Sequence, residues 1–144
     1  VDVPLDGVEF DRWMGQSASA RRMVELARRS GEHAWACFLA EQAAQFAVKA
    51  LLHGLGLDAW GHDLVRLVDR GRSGTGDWEV DLDAVVRLAR LYIPTRYPDA
   101  SASDPGASYR EADSVQATSD ADGIVASVND LWARLAEDRT DESG

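Results

Sequence analysis

The chain has 144 residues, is 45% apolar, and sets 15 basic against 25 acidic side chains for a net charge of −10. That length suits one domain with a real hydrophobic core, and the apolar content excludes a disordered chain. So acidic a chain does not attract nucleic acid in bulk, which leaves any such role to a local basic patch.

The charge is uneven. Up to Arg96 there are 12 basic and 14 acidic residues; from Tyr97 onward there are 3 and 11. A basic patch therefore belongs to the first two thirds, and the acidic end reads as a solvated face. No apolar run approaches the ~18–20 residues that span a bilayer, and the start, VDVPLDGVEF, lacks the basic and apolar regions of a signal peptide. A soluble, cytoplasmic protein without a membrane association is expected. Cys37 is the sole cysteine, which excludes an internal disulfide and a cysteine zinc site; between Ala36 and Phe38 it reads as a small buried apolar residue.

Helical periodicity governs the chain. Phe10, Trp13, Ala20, Val24 and Ala27 share a face of a first helix over about 8–29, ended by Ser30-Gly31. The second, from about Glu32 to His53, is apolar around most of its circumference and interspersed with alanines, the mark of a central helix. A short third helix fits 62–70, and GRSGTGDW at 71–78 reads as a flexible connection. It follows no strand and lacks a Gly-Lys-Ser/Thr ending, so it is no phosphate-binding loop. A fourth helix covers 80–93, with Leu82, Val85, Val86, Ala89 and Ile93 on one stripe, and ends at Pro94 and Pro98. DASASDPGAS at 99–108 reads as a mobile loop. The last helix is clearest over 120–138. The expected fold is all-α, an antiparallel four-helix bundle with a short additional helix. Residues 1–7 form an N-terminal extension, 8–138 the bundle, and 139–144 a disordered tail.

Within the second helix, Gln42, Gln45, Lys49 and His53 recur as a polar stripe. At ~100° per residue they span about 80° of the circumference, narrow enough to line a groove. A buried lysine must be paired or reach an anion. Lys49 either contributes to a ligand pocket, or pairs with Glu41, or snorkels to solvent. Further on, Ile93-Pro94-Thr95-Arg96-Tyr97-Pro98-Asp99 presents a guanidinium beside an aromatic ring. Such a pair can hold a phosphate and stack a base, or Arg96 can pair with Asp99 while Tyr97 packs on the bundle. Only His33, His53 and His62 are present, none at a metal-binding spacing, so no metal or cofactor is expected. Arg28 and His33 stand five apart, but Ser30-Gly31 separates their helices, which makes the spacing a coincidence.

WACFLAEQAAQFAVKALL, then GHDLVRLV, then LARLYIPTRYPD together resemble the HEPN domain. That family carries a Gln-Ala-x-Glu-Lys-x-x-Lys-Ala pattern, matched at Gln42, Ala43, Lys49 and Ala50; a His-x-Leu at His62 and Leu64; and an Arg-Tyr-Pro-Asp segment at Arg96 to Asp99. Where the family commonly has Glu-Lys, this chain has Gln45-Phe46. The resemblance implies a helical bundle, commonly homodimeric, that accompanies a minimal nucleotidyltransferase, often as a toxin–antitoxin pair, with nucleotide binding proposed for the domain. The implied nucleotide- or partner-binding residues are Gln42, Lys49, His62, Arg96 and Tyr97. The ribonuclease branch of the family adds Arg, four to six residues, then His on a late helix. No histidine follows Arg96, so a metal-independent ribonuclease, with RNA as substrate, would need a histidine beside an arginine across the bundle or a dimer interface, with Arg96 and His62 as candidates. The third alternative is a structural helical adaptor without a ligand.

Overall fold

A computed structural model describes residues 4–92 and 108–142. Among them are five helices and no strand: α1 (Gly7–Arg29), α2 (His33–Gly54), α3 (Leu64–Thr75), α4 (Leu82–Ala89) and α5 (Glu111–Glu142). The expected all-α bundle is the fold. No helix among the described residues is long and apolar enough to cross a membrane.

The axis of the bundle is α2, which packs against each of the other four helices. Its composition explains why. Ala36, Ala40, Ala43, Ala44, Ala47 and Ala50 are fully buried, and their small side chains let neighbouring backbones come close. Ser17 on α1 approaches near enough for its hydroxyl to donate to the Ala43 carbonyl at 2.7 Å. Val48, Leu51 and Leu52 fill the space between helices, each large side chain contributing roughly 1.5–3 kcal/mol by burial. Cys37 is buried in the same core, as its neighbours implied, and burial pushes its thiol up to about 12, so it stays protonated and inert.

Three aspartates set where helices begin. Asp6 accepts from the Glu9 N–H, Asp63 from Val65 and Arg66, and Asp81 from Asp83 and Ala84. Each cap satisfies backbone donors that have no partner inside the helix, and contributes about 1 kcal/mol.

The structure departs from the periodicity in three places. The glycine-rich 71–76 stretch is not a loop, because α3 continues to Thr75. Gly71 is needed there for close approach: a Cβ would sit 2.8 Å from the Trp78 ring. The helix ends at Gly76, whose φ of 80° is the left-handed terminator. On α4, shorter than expected, the buried residues are Ala84, Val85 and Leu88, while Leu82 and Val86 face outward. Finally, α5 begins at Glu111 and reaches Glu142. Its first turns bury Ser114, Thr118 and Asp120, polar residues that hid the helical stripe. Ser114 and Thr118 return their hydroxyls to the carbonyls of Glu111 and Ser114. Asp120 takes a two-pronged bond from Arg87 of α4, both arms 2.9 Å, and a third from Gln116. The mobile loop expected at 99–108, and the prolines at 94 and 98, fall outside the described residues, apart from Ser108.

The α2 terminus is packed against a stacked aromatic pair. Phe10 of α1 stacks on Trp132 of α5 with centroids 4.2 Å apart, and Gly54 lies against both. An added Cβ would come within 2.5 Å of the indole. Alanine in place of a helical glycine ordinarily gains up to ~1 kcal/mol, but overlap with a packed ring costs about 1–3 kcal/mol. Gly54→Ala is therefore expected to lower stability by about 1–2 kcal/mol in urea unfolding. A stabilised variant would show that the indole moves aside freely.

Candidate functional site

The polar stripe of α2 faces the connection between α2 and α3. Gln45, 2% exposed, donates from its carboxamide nitrogen to both oxygens of the fully buried Glu41 and, at 3.0 Å, to the His62 carbonyl. Gln42 adds a donor to Glu41 at 3.2 Å. Thus two of the stripe residues solvate a carboxylate one turn or less away, and one of them ties the connecting loop to the helix.

The loop is pinned at its other end as well. Asp58 accepts from the Trp60 N–H at 3.0 Å, closing a tight turn. Arg70 of α3 donates to the Asp58 carbonyl at 3.2 Å and to the Trp60 carbonyl at 2.9 Å, and its guanidinium lies 3.7 Å from the Asp58 carboxylate. Between this loop and α2 lies an open hollow of about 470 Å³. Its walls include Trp13, Lys49, His53, Trp60 and His62. Trp13 and His53 are stacked, centroids 4.6 Å apart and nearly parallel, and the Lys49 ammonium stands 6.0 Å from the Trp13 ring centre. The His62 imidazole stacks on Tyr92 at 5.9 Å.

Lys49 and His62, named from the sequence as ligand residues, thus line one hollow. Gln42 does not line it; its amide is directed to Glu41. Arg96 and Tyr97 lie outside the described residues. Lys49 and Glu41 sit two turns apart on α2, and the carboxylate acts on the ammonium through space. Burial pulls the Lys49 ammonium below the ordinary lysine value, with the Glu41 charge opposing that shift. The Arg28/His33 spacing is indeed incidental, since Arg28 bonds Glu25 on its own helix while His33 meets Ser114 of α5 at 2.9 Å. Sequence reasoning placed His53 with Lys49 on a groove-lining stripe, but did not pick out Trp13 and Trp60 as walls of the same site. The available signal was LDAWGHD, a tryptophan set among turn-forming residues.

The fold and this hollow define a small helical module with a largely apolar recess against its central helix, into which Lys49 and two histidines are set. The HEPN domain model matches residues 10–131, and the chain belongs to the HEPN domain family. It is similar to the crystal structure of TT1696 from Thermus thermophilus, with 34% identity over 84% of this chain and 96% of that one, at a TM-score of 0.77. It is also similar to ST0689, an archaeal HEPN homologue, with 27% identity over 85% of this chain and 96% of that one, at a TM-score of 0.68. An HEPN domain protein of Thermotoga maritima shares the fold at 21% identity, covering 85% and 98% of the two chains with a TM-score of 0.67. No curated protein matches the chain at a significant level.

Membership of the family makes the Gln45-Phe46 departure informative. At the position where the resembled pattern has glutamate, the Gln45 carboxamide donates to both oxygens of Glu41, one turn earlier on the same face. A glutamate at 45 would confront Glu41 with a second buried carboxylate and remove the bond to His62. Gln45→Glu is expected to cost about 2–4 kcal/mol at neutral pH. Burial and the neighbouring charge would raise the new carboxyl's folded-state pKa above its unfolded value of about 4.3, so the loss shrinks as pH falls toward that value. The double variant Glu41→Gln/Gln45→Glu should recover most of the stability, which a double-mutant cycle by chemical denaturation measures.

Lys49 behaves in the opposite sense. A lysine whose folded pKa is depressed destabilises the fold while charged, and that cost fades as pH rises from the depressed value toward the ordinary 10.5. Lys49→Met should therefore raise the melting temperature at neutral pH, with the advantage narrowing toward pH 10.5. Equal melting temperatures across the range would show a fully solvated ammonium.

Proposed function

We propose that this HEPN domain is a binding module whose hollow beside α2 receives the anionic group of a nucleotide, and that it works with a minimal nucleotidyltransferase, as a homodimer, in a toxin–antitoxin pair. One observation carries the ligand part. Lys49 stands half-buried in an open recess where a phosphate could reach it beside His53 and His62, and burial pulls its ammonium below the ordinary lysine value. A fold with no use for a cation there would be more stable with an apolar side chain. Arg96 and Tyr97 join the site in this reading as a second cation and an aromatic surface. The pairing with a nucleotidyltransferase rests on the family resemblance.

Calorimetric titration with ATP, GTP and a short RNA tests the ligand, and co-expression with a nucleotidyltransferase encoded next to this gene tests the partner. The expected result is saturable nucleotide binding that Lys49→Met weakens by roughly tenfold or more, the scale of a lost charge-assisted hydrogen bond. Flat titrations for every ligand would remove the nucleotide part. Failure to co-purify would remove the pairing.

A further inference from the structure

Trp60 is 82% exposed, the most exposed of the large hydrophobic side chains among the described residues. Exposure alone is ordinary for an apolar residue on a floppy loop, but this backbone is not floppy. The Trp60 N–H is held by Asp58, its carbonyl by Arg70, and the following His62 carbonyl by Gln45, itself buried in the bundle. Gly61, with φ of 101°, makes the turn between the last two anchors. A rigid main chain therefore holds out an indole at the rim of the hollow that contains Lys49.

We propose that Trp60 is a stacking platform for the base of a nucleotide whose phosphate is held at Lys49. This deepens the nucleotide reading above and rests on it. The chemistry of the two ends differs in the way the two ends of a nucleotide differ: a flat, solvent-facing π-surface and a half-buried ammonium. The hollow, about 470 Å³, falls within the range of roughly 300–1,000 Å³ typical of small-molecule sites. Asp58, the one carboxylate lining it among the described residues, is turned to Arg70 and to the Trp60 N–H. A mononucleotide fits better than a polynucleotide, because a chain of net charge −10 repels a long polyanion beyond the local contact. An indole stacks on any base through its π-face, so the platform distinguishes nucleotides from sugar phosphates more than one base from another.

The experiment compares AMP, GMP and ribose 5-phosphate by calorimetry on the intact chain, its Trp60→Ala and Trp60→Phe variants, and Lys49→Met. Trp60 is exposed, so its replacement leaves the fold intact, which circular dichroism verifies. The wild type is expected to bind AMP and GMP roughly tenfold or more tighter than ribose 5-phosphate. Trp60→Ala should bring all three to the ribose 5-phosphate affinity, Trp60→Phe should keep most of the preference, and Lys49→Met should weaken every ligand. Equal affinity for AMP and ribose 5-phosphate in the wild type overturns the platform and leaves anion binding at Lys49 standing. A preference for AMP that survives in Trp60→Ala also overturns it, placing the base elsewhere. No binding of any of the three overturns the platform and the nucleotide reading together.

Discussion

The Gln45 carboxamide joins the interior of α2 to the loop that follows it. Its nitrogen has two hydrogens and faces three acceptors, the two Glu41 oxygens and the His62 carbonyl. A buried carboxylate is tolerable only when donors surround it, and the His62 carbonyl takes its partner from the same amide. Both needs converge on one side chain. Its removal would take a donor from both Glu41 oxygens and release the loop that forms one wall of the hollow. The position of His62, and through Gly61 that of Trp60, follows from this amide.

The hollow also needs a floor that does not move. α2 provides it because its ends and flanks are fastened to the rest of the bundle. Gly54 is wedged against the stacked Phe10 and Trp132, and the Asp6 N–H donates to the Gly54 carbonyl at 2.8 Å. On the far side, Trp78 lies over Gly71 and donates to Ser127 of α5, while Arg87 and Asp120 lock α4 to α5. Asp120 is 5% exposed, so its carboxylate depends on that guanidinium for the solvation water no longer gives. These contacts involve no residue of the hollow. They let Lys49 and His53 keep fixed positions while the loop opposite them carries the exposed groups.

The fold was legible in the sequence wherever burial follows a simple period. Helices α1 and α2 were found nearly to the residue, since Phe10, Ala20 and Val24, and then the alanines of α2, repeat at helical spacing and are bounded by Ser30-Gly31 and Gly54. Reading failed where a residue type works against its usual meaning. Glycines normally break helices, yet Gly71 continues α3 because a neighbouring indole requires the missing Cβ. Serine, threonine and aspartate normally face water, yet Ser114, Thr118 and Asp120 are buried because each finds a bonded partner. The site was half legible on the same grounds. A lysine inside an apolar helix is conspicuous, and so is a histidine in a motif. That Trp13 would stack on His53, or that Trp60 would be held outward by Arg70, depends on contacts between separate elements, and no local pattern encodes them.

The electrostatics of the site can be reasoned from the same contacts. With ten more negative than positive charges, the chain as a whole opposes an anionic ligand, and in physiological salt that opposition fades beyond roughly 8 Å. Inside the hollow the balance is local. Asp58 faces Arg70, and Glu41 is buried beneath Gln42 and Gln45, so neither carboxylate cancels Lys49 outright. The stacked Trp13 ring offers its face near the ammonium but at 6.0 Å, the outer limit of a cation–π contact, too far to satisfy it. An ammonium partly stripped of water and incompletely compensated gains more from an approaching phosphate than a solvated surface lysine does, because less hydration remains to be lost. In the proposed role, the same burial that pulls the Lys49 ammonium below the ordinary lysine value would favour a compact anion that enters the recess over one that only meets the surface.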